Sequence, residues 1–199
     1  LSHLTAIWVT SLSGVVMFYF LRNITGERST AVLFALIYLF ATCTWSIASR
    51  GLWQHGPSML FVLAGLLLLS LKKDSYVGLS GFFFALAVVN RPTNIFFYAG
   101  AAAYVVLNRP LLTSAAFAGW SAIPVALNFY YYYAYWGSLL GPYVKASQAA
   151  IKTSDKDFHS ISTTFMMWLI SPSRGLLALS PFFIFGFLRM PSIWKDTKK

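Results

Sequence analysis

Long apolar runs separated by short polar segments make up most of this chain, and the pattern predicts helices that cross a lipid bilayer. A spanning helix needs about 20 mostly apolar residues, within a range of roughly 17–25. On this basis we expect about seven spans: Leu4–Leu21, Ala31–Ser49, Pro57–Leu71, Tyr76–Val89, Ile95–Leu107, Leu111–Trp136 and Gly175–Leu188. The fourth and fifth runs are short, so we expect them to tilt, extend into their loops or re-enter the membrane.

The predicted fold class is therefore all-α, a polytopic transmembrane helical bundle that forms a single membrane domain over residues 1–199. The longest polar connection, residues 137–171, is expected to be an external loop, and its apolar stretch 165–170 is expected to lie flat in the interface as a helix or to dip into it. The chain opens inside an apolar run without methionine, which suggests a fragment of a longer protein.

Composition strengthens the membrane interpretation. The chain is 58% hydrophobic and only 10% charged, whereas soluble domains carry about 25% charged residues. The net charge of +10 would suggest nucleic acid in a soluble protein, but here the cations lie at the ends of apolar runs. That placement favours membrane lipids and anionic lipid substrates as partners, with no nucleic acid. The single cysteine, Cys43, excludes an intrachain disulfide and a cysteine metal cluster.

Alternate threading of the runs divides the connecting segments between two faces. One face collects nine Lys and Arg, including the basic tail, and the other collects six. Because Lys and Arg in short loops favour the cytoplasm, the first face is expected to be cytoplasmic. Four notable segments then emerge together outside: residues 50–57, 90–94, 137–171 and 171–175.

Segment 50–57 concentrates side chains suited to a phosphorylated amphipathic ligand. Arg50 offers a forked permanent cation, Trp53 a flat surface for a sugar or isoprenoid, and His55 a donor or proton relay, with Gln54 between them. Pro57 suits the first turn of a helix whose free amides would face outward and accept phosphate. The alternative is a snorkelling arginine beside an interfacial tryptophan.

Two further segments place arginine at the start of a helix that enters from outside. Arg91 is followed by proline and by Asn94, and Arg174 follows a serine and a proline. A cation at a helix N-terminus is unfavourable unless an anion lies nearby, so both arginines are candidate anion ligands. Arg109 and Pro110 repeat the local form on the opposite face, so the pattern alone is not specific.

Acidic residues are few on the predicted outer face. Asp155 and Asp157 lie there, and they are open to three interpretations: a cation site, a general base, or a solvated loop. No spacing typical of a His or Cys metal site, a phosphate loop or a Ser-His-Asp triad is present. No residue is assigned to catalysis or to a metal, and no cofactor is visible in the sequence.

Residues 44–57, TWSIASRGLWQHGP, resemble the middle of bacterial integral-membrane glycosyltransferases of the GT-C superfamily, the relatives of protein O-mannosyltransferases and aminoarabinose transferases. Asn90-Arg91-Pro92, then Trp136-Gly137-Ser138 with Gly141 and Tyr143, and finally Ser171–Gly175 resemble the same family in the same order. The resemblance adds Tyr143 to the substrate-binding candidates.

The resemblance implies a multi-helix enzyme of the bacterial cytoplasmic (inner) membrane. Such an enzyme takes a sugar from a polyprenyl-phosphate carrier at the extracytoplasmic face, using a catalytic acid in an N-terminal external loop that this chain does not contain. A divalent metal in the full-length enzyme stays open, as does the identity of the acceptor. Two alternatives also stay open: a transporter or flippase of a lipid-linked or anionic substrate, and a non-catalytic membrane subunit.

Overall fold

A computed structural model describes residues 2–42, 44–51, 53–139, 163–164 and 166–167. All regular structure in these ranges is helical, which confirms the predicted all-α class there. The elements are α1 (Ser2–Thr25), α2 (Arg28–Phe40), a π-helical turn (Thr44–Ala48), α3 (His55–Ser70), α4 (Asp74–Asn90), a 3₁₀ turn (Pro92–Asn94), α5 (Ile95–Asn108) and α6 (Leu111–Trp136).

Two of these helices, α1 with 24 residues and α6 with 26, are long and apolar enough to cross a bilayer. Helices α2, α3 and α4 are apolar but have only 13 to 17 residues. Two candidate spans in the described residues do not support a count of seven, which stays a prediction. The predicted span Gly175–Leu188 lies outside the described residues, as does most of the loop 137–171; residues 163–164 and 166–167 of that loop are helical.

The second predicted span, Ala31–Ser49, is wrong as a single helix, because α2 ends at Phe40. The break falls where hydroxyl side chains take over backbone hydrogen bonding. Thr42 Oγ1 donates to the carbonyl of Tyr38 at 2.6 Å and accepts from the amide of Thr44 at 3.1 Å. Such local side-chain bonds compete with the helical ladder.

Loops at the two ends of the bundle are tied together separately. At one end, Asn23 bonds Ser70, and Arg109 bonds the carbonyl of Lys72 at 3.0 Å. At the other end, segment 54–58 bonds segment 90–94. Helices α3 and α5 therefore run parallel, with the antiparallel α4 between them in sequence, as alternate threading requires.

Helix α4 holds the bundle together by packing against both α3 and α6 through small residues. A Cβ at Gly65 of α3 would meet the ring of Phe84 at 2.8 Å, and a Cβ at Gly81 of α4 would meet the carbonyl oxygen of Phe117 at 2.3 Å. Close backbone approach through Gly is typical of helix packing in membranes. The buried apolar cluster at this junction consists of Val77, Phe84, Ala101, Val105 and Phe117.

Outside this narrow core, the described helices present large apolar side chains to their surroundings. Phe96 is 79% exposed, Leu107 81%, Leu111 86% and Leu112 83%. By contrast, several buried side chains are small hydroxyls, among them Thr10, Ser13, Ser80 and Ser121. Each of these four donates to a backbone carbonyl of its own helix, so the polar atoms inside are satisfied.

Candidate functional site

Two residues predicted from separate segments, His55 and Arg91, meet at one end of the bundle. The Nη1 atom of Arg91 lies 2.8 Å from Nδ1 of His55, and both side chains are partly buried. Arginine has only donors, so Arg91 donates and His55 accepts. The imidazole is therefore neutral, with its proton on Nε2. One of the five N–H donors of Arg91 is used in this contact, which leaves most of the guanidinium fork for a ligand.

Two more hydrogen bonds hold the two segments in register. Asn90 Nδ2 donates to the carbonyl of Gln54 at 2.6 Å, and Asn94 Nδ2 donates to Ser58 Oγ. In all three pairs the partners are 36 residues apart, because α3 and the 3₁₀ turn before α5 begin side by side and run in the same direction. The distance between His55 and Arg91 is thus fixed by neighbours on both sides.

Asn94 is the buried part of this arrangement, with 7% of its surface exposed. Besides Ser58, it donates to the carbonyl of Ala87 at 2.9 Å in the last turn of α4. One amide group therefore joins α3, α4 and the start of α5. Its position indicates that Asn94 orients the segment that carries Arg91.

A cavity of about 390 Å³ opens beside these residues, and its polar wall is made by His55, Ser58, Arg91 and Asn94. The remaining wall is apolar except for one phenol and comes from α2, α3 and α5: Tyr38, Met59, Val62, Leu63, Leu66 and Phe97. The cavity therefore has a cationic end and an apolar body, which suits an amphipathic ligand with an anionic head.

The electrostatics of the pair keep His55 uncharged. Burial, and secondly the positive charge of Arg91, lower the pKa of His55 below the ordinary value for histidine. Near pH 7 the pair consequently carries the single positive charge of Arg91. A neutral imidazole with Nε2–H is able to donate to a phosphate or sugar oxygen.

The other predicted site residues of segment 50–57 lie away from the cavity. Arg50 and Gln54 are exposed, and Trp53 is 66% exposed; none of the three lines the cavity wall. Pro57 lies in the first turn of α3, as predicted. Tyr143 and Arg174 lie outside the described residues.

The sequence analysis did not identify several residues of the cavity wall. For one of them, Ser58, the sequence does contain an indication of its role. Within the apolar sequence of α3, Ser58 and Ser70 are the only hydroxyl side chains, and each accepts a hydrogen bond from an asparagine of another segment. An isolated hydroxyl in an apolar run therefore marked a polar contact between helices. Tyr38 and Phe97 had no such signal, because aromatic residues are frequent throughout the chain.

Among the described residues, no three His, Cys, Asp or Glu side chains gather where they would hold a metal ion.

Comparison with protein families, with curated proteins and with solved structures finds no match to this chain.

Proposed function

We propose that this chain is part of a membrane glycosyltransferase that moves a sugar from a polyprenyl-phosphate donor to an acceptor. The proposed location is the bacterial cytoplasmic membrane, with the site on the extracytoplasmic face. The observation that carries the proposal is the cavity whose wall contains the Arg91–His55 pair together with aliphatic and aromatic side chains. A polyprenyl phosphate has the matching shape, an anionic head on an apolar chain.

The membrane location is supported by the exposed apolar surface of the described helices. Side chains such as Leu107 and Leu111 are more than four-fifths exposed, and extensive exposure of large apolar side chains is typical of a protein or membrane contact. The two long apolar helices α1 and α6 add to this support. The orientation rests on the nine-to-six distribution of Lys and Arg.

In the proposed reaction, the bond between the sugar's anomeric carbon and the carrier phosphate breaks, and the phosphate keeps the electron pair. The anomeric carbon forms its new bond to the acceptor's nucleophilic atom, whose proton passes to a base that we do not assign. Arg91 stabilises the negative charge that develops on the leaving phosphate, an effect that grows at low local dielectric. His55 donates Nε2–H to a phosphate or sugar oxygen and, through Nδ1, fixes the orientation of Arg91.

The first test is binding of a polyprenyl phosphate to the purified protein, comparing Arg91→Gln with Arg50→Gln. Both variants remove one arginine from the same end of the bundle, but only Arg91 lines the cavity. Hydrogen bonds to charged groups contribute about 1.5–3 kcal/mol, so we expect Arg91→Gln to weaken binding roughly ten- to a hundredfold. Arg50→Gln should leave binding within about threefold, as for an exposed charge.

Equal weakening by both variants, or by neither, contradicts the assignment of the phosphate to Arg91. Because Arg91 also bonds His55, Arg91→Lys serves as the second variant: it keeps the charge, and binding should fall between that of wild type and Arg91→Gln. Melting temperatures of all variants show whether any loss of binding reflects unfolding.

Because the catalytic acid is expected outside this chain, a transfer assay on the full-length protein separates the enzyme from the two alternatives. With a sugar-loaded carrier in sealed vesicles, a glycosyltransferase removes the sugar from its carrier, whereas a flippase moves the intact carrier to the other leaflet. A non-catalytic subunit does neither. The described helices carry no charged residue near their centres, and transporters usually place such groups at mid-membrane, so the enzyme is favoured over the flippase.

A further inference from the structure

A second cavity lies at the other end of α3, where the function proposed above assigns nothing. It measures about 380 Å³ and lies between α1, α3 and α5, with Phe20, Leu66 and Leu69 in its apolar wall. Its polar rim is formed by Asn23, Ser70 and Lys72. Leu66 also lines the first cavity, but the two rims are separated by the length of α3, about 1.5 Å for each of its 16 residues.

The rim of this cavity is fixed by hydrogen bonds between the loops. Asn23 Nδ2 donates to both the carbonyl oxygen and the hydroxyl of Ser70, at 2.7 and 2.9 Å. Lys72 adopts φ +60°, the left-handed region that side-chain-bearing residues rarely occupy, and Arg109 holds its carbonyl at 3.0 Å. The bundle therefore keeps Lys72 at the rim in a conformation that it would not adopt alone.

The charge at this end selects an anionic partner. The described helix ends and loops here carry five cations against two acids: Arg22, Arg28, Lys72, Lys73 and Arg109 against Glu27 and Asp74. Both acids are engaged within the protein, since Asp74 lies 3.6 Å from Arg109 and Glu27 accepts from Thr30 at 2.9 Å. A neighbouring cavity of about 410 Å³ shares Asn23 and is lined by Arg22, so cations flank Asn23 on both sides.

We propose that this cavity binds an anionic phospholipid of the surrounding bilayer, with one acyl chain along Phe20, Leu66 and Leu69 and the phosphate at Lys72. An anionic phospholipid matches this cavity because the apolar wall continues into a rim that contains Lys72, at an end of the bundle where cations outnumber acids. This site rests on the membrane location in the proposed function but not on sugar transfer. It is a structural lipid site at the face opposite the candidate active site.

The test is lipid retention by the purified protein, measured by native mass spectrometry in an equal mixture of phosphatidylglycerol and phosphatidylcholine. We expect the wild type to retain phosphatidylglycerol over phosphatidylcholine by a ratio of about five or more, which is the effect of one lysine near an anionic headgroup. Lys72→Gln should lower the preference about fivefold, while Lys72→Arg should keep it. The matched control is Lys73→Gln, which removes the same charge one residue later, from a side chain that lines neither cavity, and it should leave the preference within about twofold.

Three results would overturn the proposal: a wild type without lipid preference, equal losses in Lys72→Gln and Lys73→Gln, or no recovery in Lys72→Arg. The first would mean that another occupant, such as a different part of the chain, covers the cavity. Arg91→Gln separates the two proposals, because it should weaken polyprenyl-phosphate binding and leave phosphatidylglycerol retention unchanged. Loss of phosphatidylglycerol in Arg91→Gln would place that lipid in the first cavity and overturn the second site.

Discussion

The close contact between α4 and α6 at Gly81 allows a stability effect to be worked out from distances. In Gly81→Ala, the new methyl carbon would lie 2.3 Å from the carbonyl oxygen of Phe117 and 2.7 Å from Ser121 Oγ. Heavy-atom contacts are optimal near 3.5–4.0 Å, so the two helices would have to separate by roughly 1 Å. The carbonyl oxygen of Phe117 is a backbone atom, so a side-chain rotation cannot relieve this contact. Overpacking of this kind costs about 1–3 kcal/mol.

Replacing glycine by alanine inside a helix also gains about 1 kcal/mol of helix propensity, and this gain must be separated from the clash. Gly119 in α6 is the matched control, since a methyl carbon there would meet nothing within 4 Å. Gly119→Ala should therefore show the propensity gain alone. The difference in stability between the two variants isolates the overpacking term, which we expect to be about 1–3 kcal/mol.

The assay is reversible unfolding of each purified variant in mixed micelles by added dodecyl sulfate, followed by helical circular dichroism. Gly81→Ala should unfold at lower denaturant than Gly119→Ala, and Gly100→Ala, a second open position, should behave like Gly119→Ala. If Gly81→Ala were as stable as Gly119→Ala, close packing of α4 on α6 would be refuted.

Three further predictions concern the polar ends of the bundle. The pKa of His55 is lowered in the folded protein, so the unfolded chain takes up the proton first as the pH falls, and the contribution of His55 to stability is complete above pH about 6.5 and is lost below it. When melting temperatures are measured from pH 7.5 to 5.5, they should decrease less in His55→Gln than in the wild type. Equal decreases in both proteins would exclude the effect. Asn94→Asp should destabilise by about 1–3 kcal/mol in chemical unfolding, because a carboxylate oxygen replaces the donor that faces the Ala87 carbonyl; unchanged stability would count against the buried amide contact. Lys72→Gly should raise the melting temperature, since relief of a left-handed conformation is worth roughly 1 kcal/mol, whereas Lys72→Ala should not; equal effects would argue against strain at this residue.

Much of the helical framework could be predicted because helix-breaking residues stand at the ends of several helices. Pro110 precedes α6, and Gly137 ends it with φ +60°, so the predicted span Leu111–Trp136 coincides with the helix. Lys73 and Arg91 likewise flank α4 in extended conformations. Charged residues, proline and glycine break an apolar helix for reasons that are local, and local reasons are readable from sequence.

The end of α2 could not be predicted in this way, because no proline, glycine or charge lies between Phe40 and Ser49. The break depends on hydrogen bonds that Thr42 forms with both Tyr38 and Thr44. The local sequence around a threonine that forms such bonds differs little from the sequence around a threonine inside a continuous helix. Hydrophobicity alone predicts a helix that continues to Ser49, whereas α2 ends at Phe40.

The sequence predicts which candidate site residues lie at the same end of the bundle, but it does not predict which of them are in contact. Alternate threading places His55 and Arg91 at the same end, yet their 2.8 Å contact requires α3 and α5 to begin in register. That register depends on packing of both helices around α4, through residues such as Phe84 and Val105. Arg50, whose local motif is as suggestive as that of Arg91, is exposed and does not line the cavity. Side-chain chemistry therefore gave the candidates, and long-range packing selects among them.

Proline at position 124 divides α6 into two parts with different attachments. Pro124 has no N–H, so the carbonyl of Trp120 lacks its helical donor. The buried residues of α6 all lie at or before this point: Thr113, Phe117, Ser121 and Pro124. In terms of amide exchange, the first part should open only when α4 is released, while residues 125–136 form a separate unit of lower opening free energy. We therefore expect the tyrosine-rich end of the helix to reorient without disturbing the core that anchors the first part.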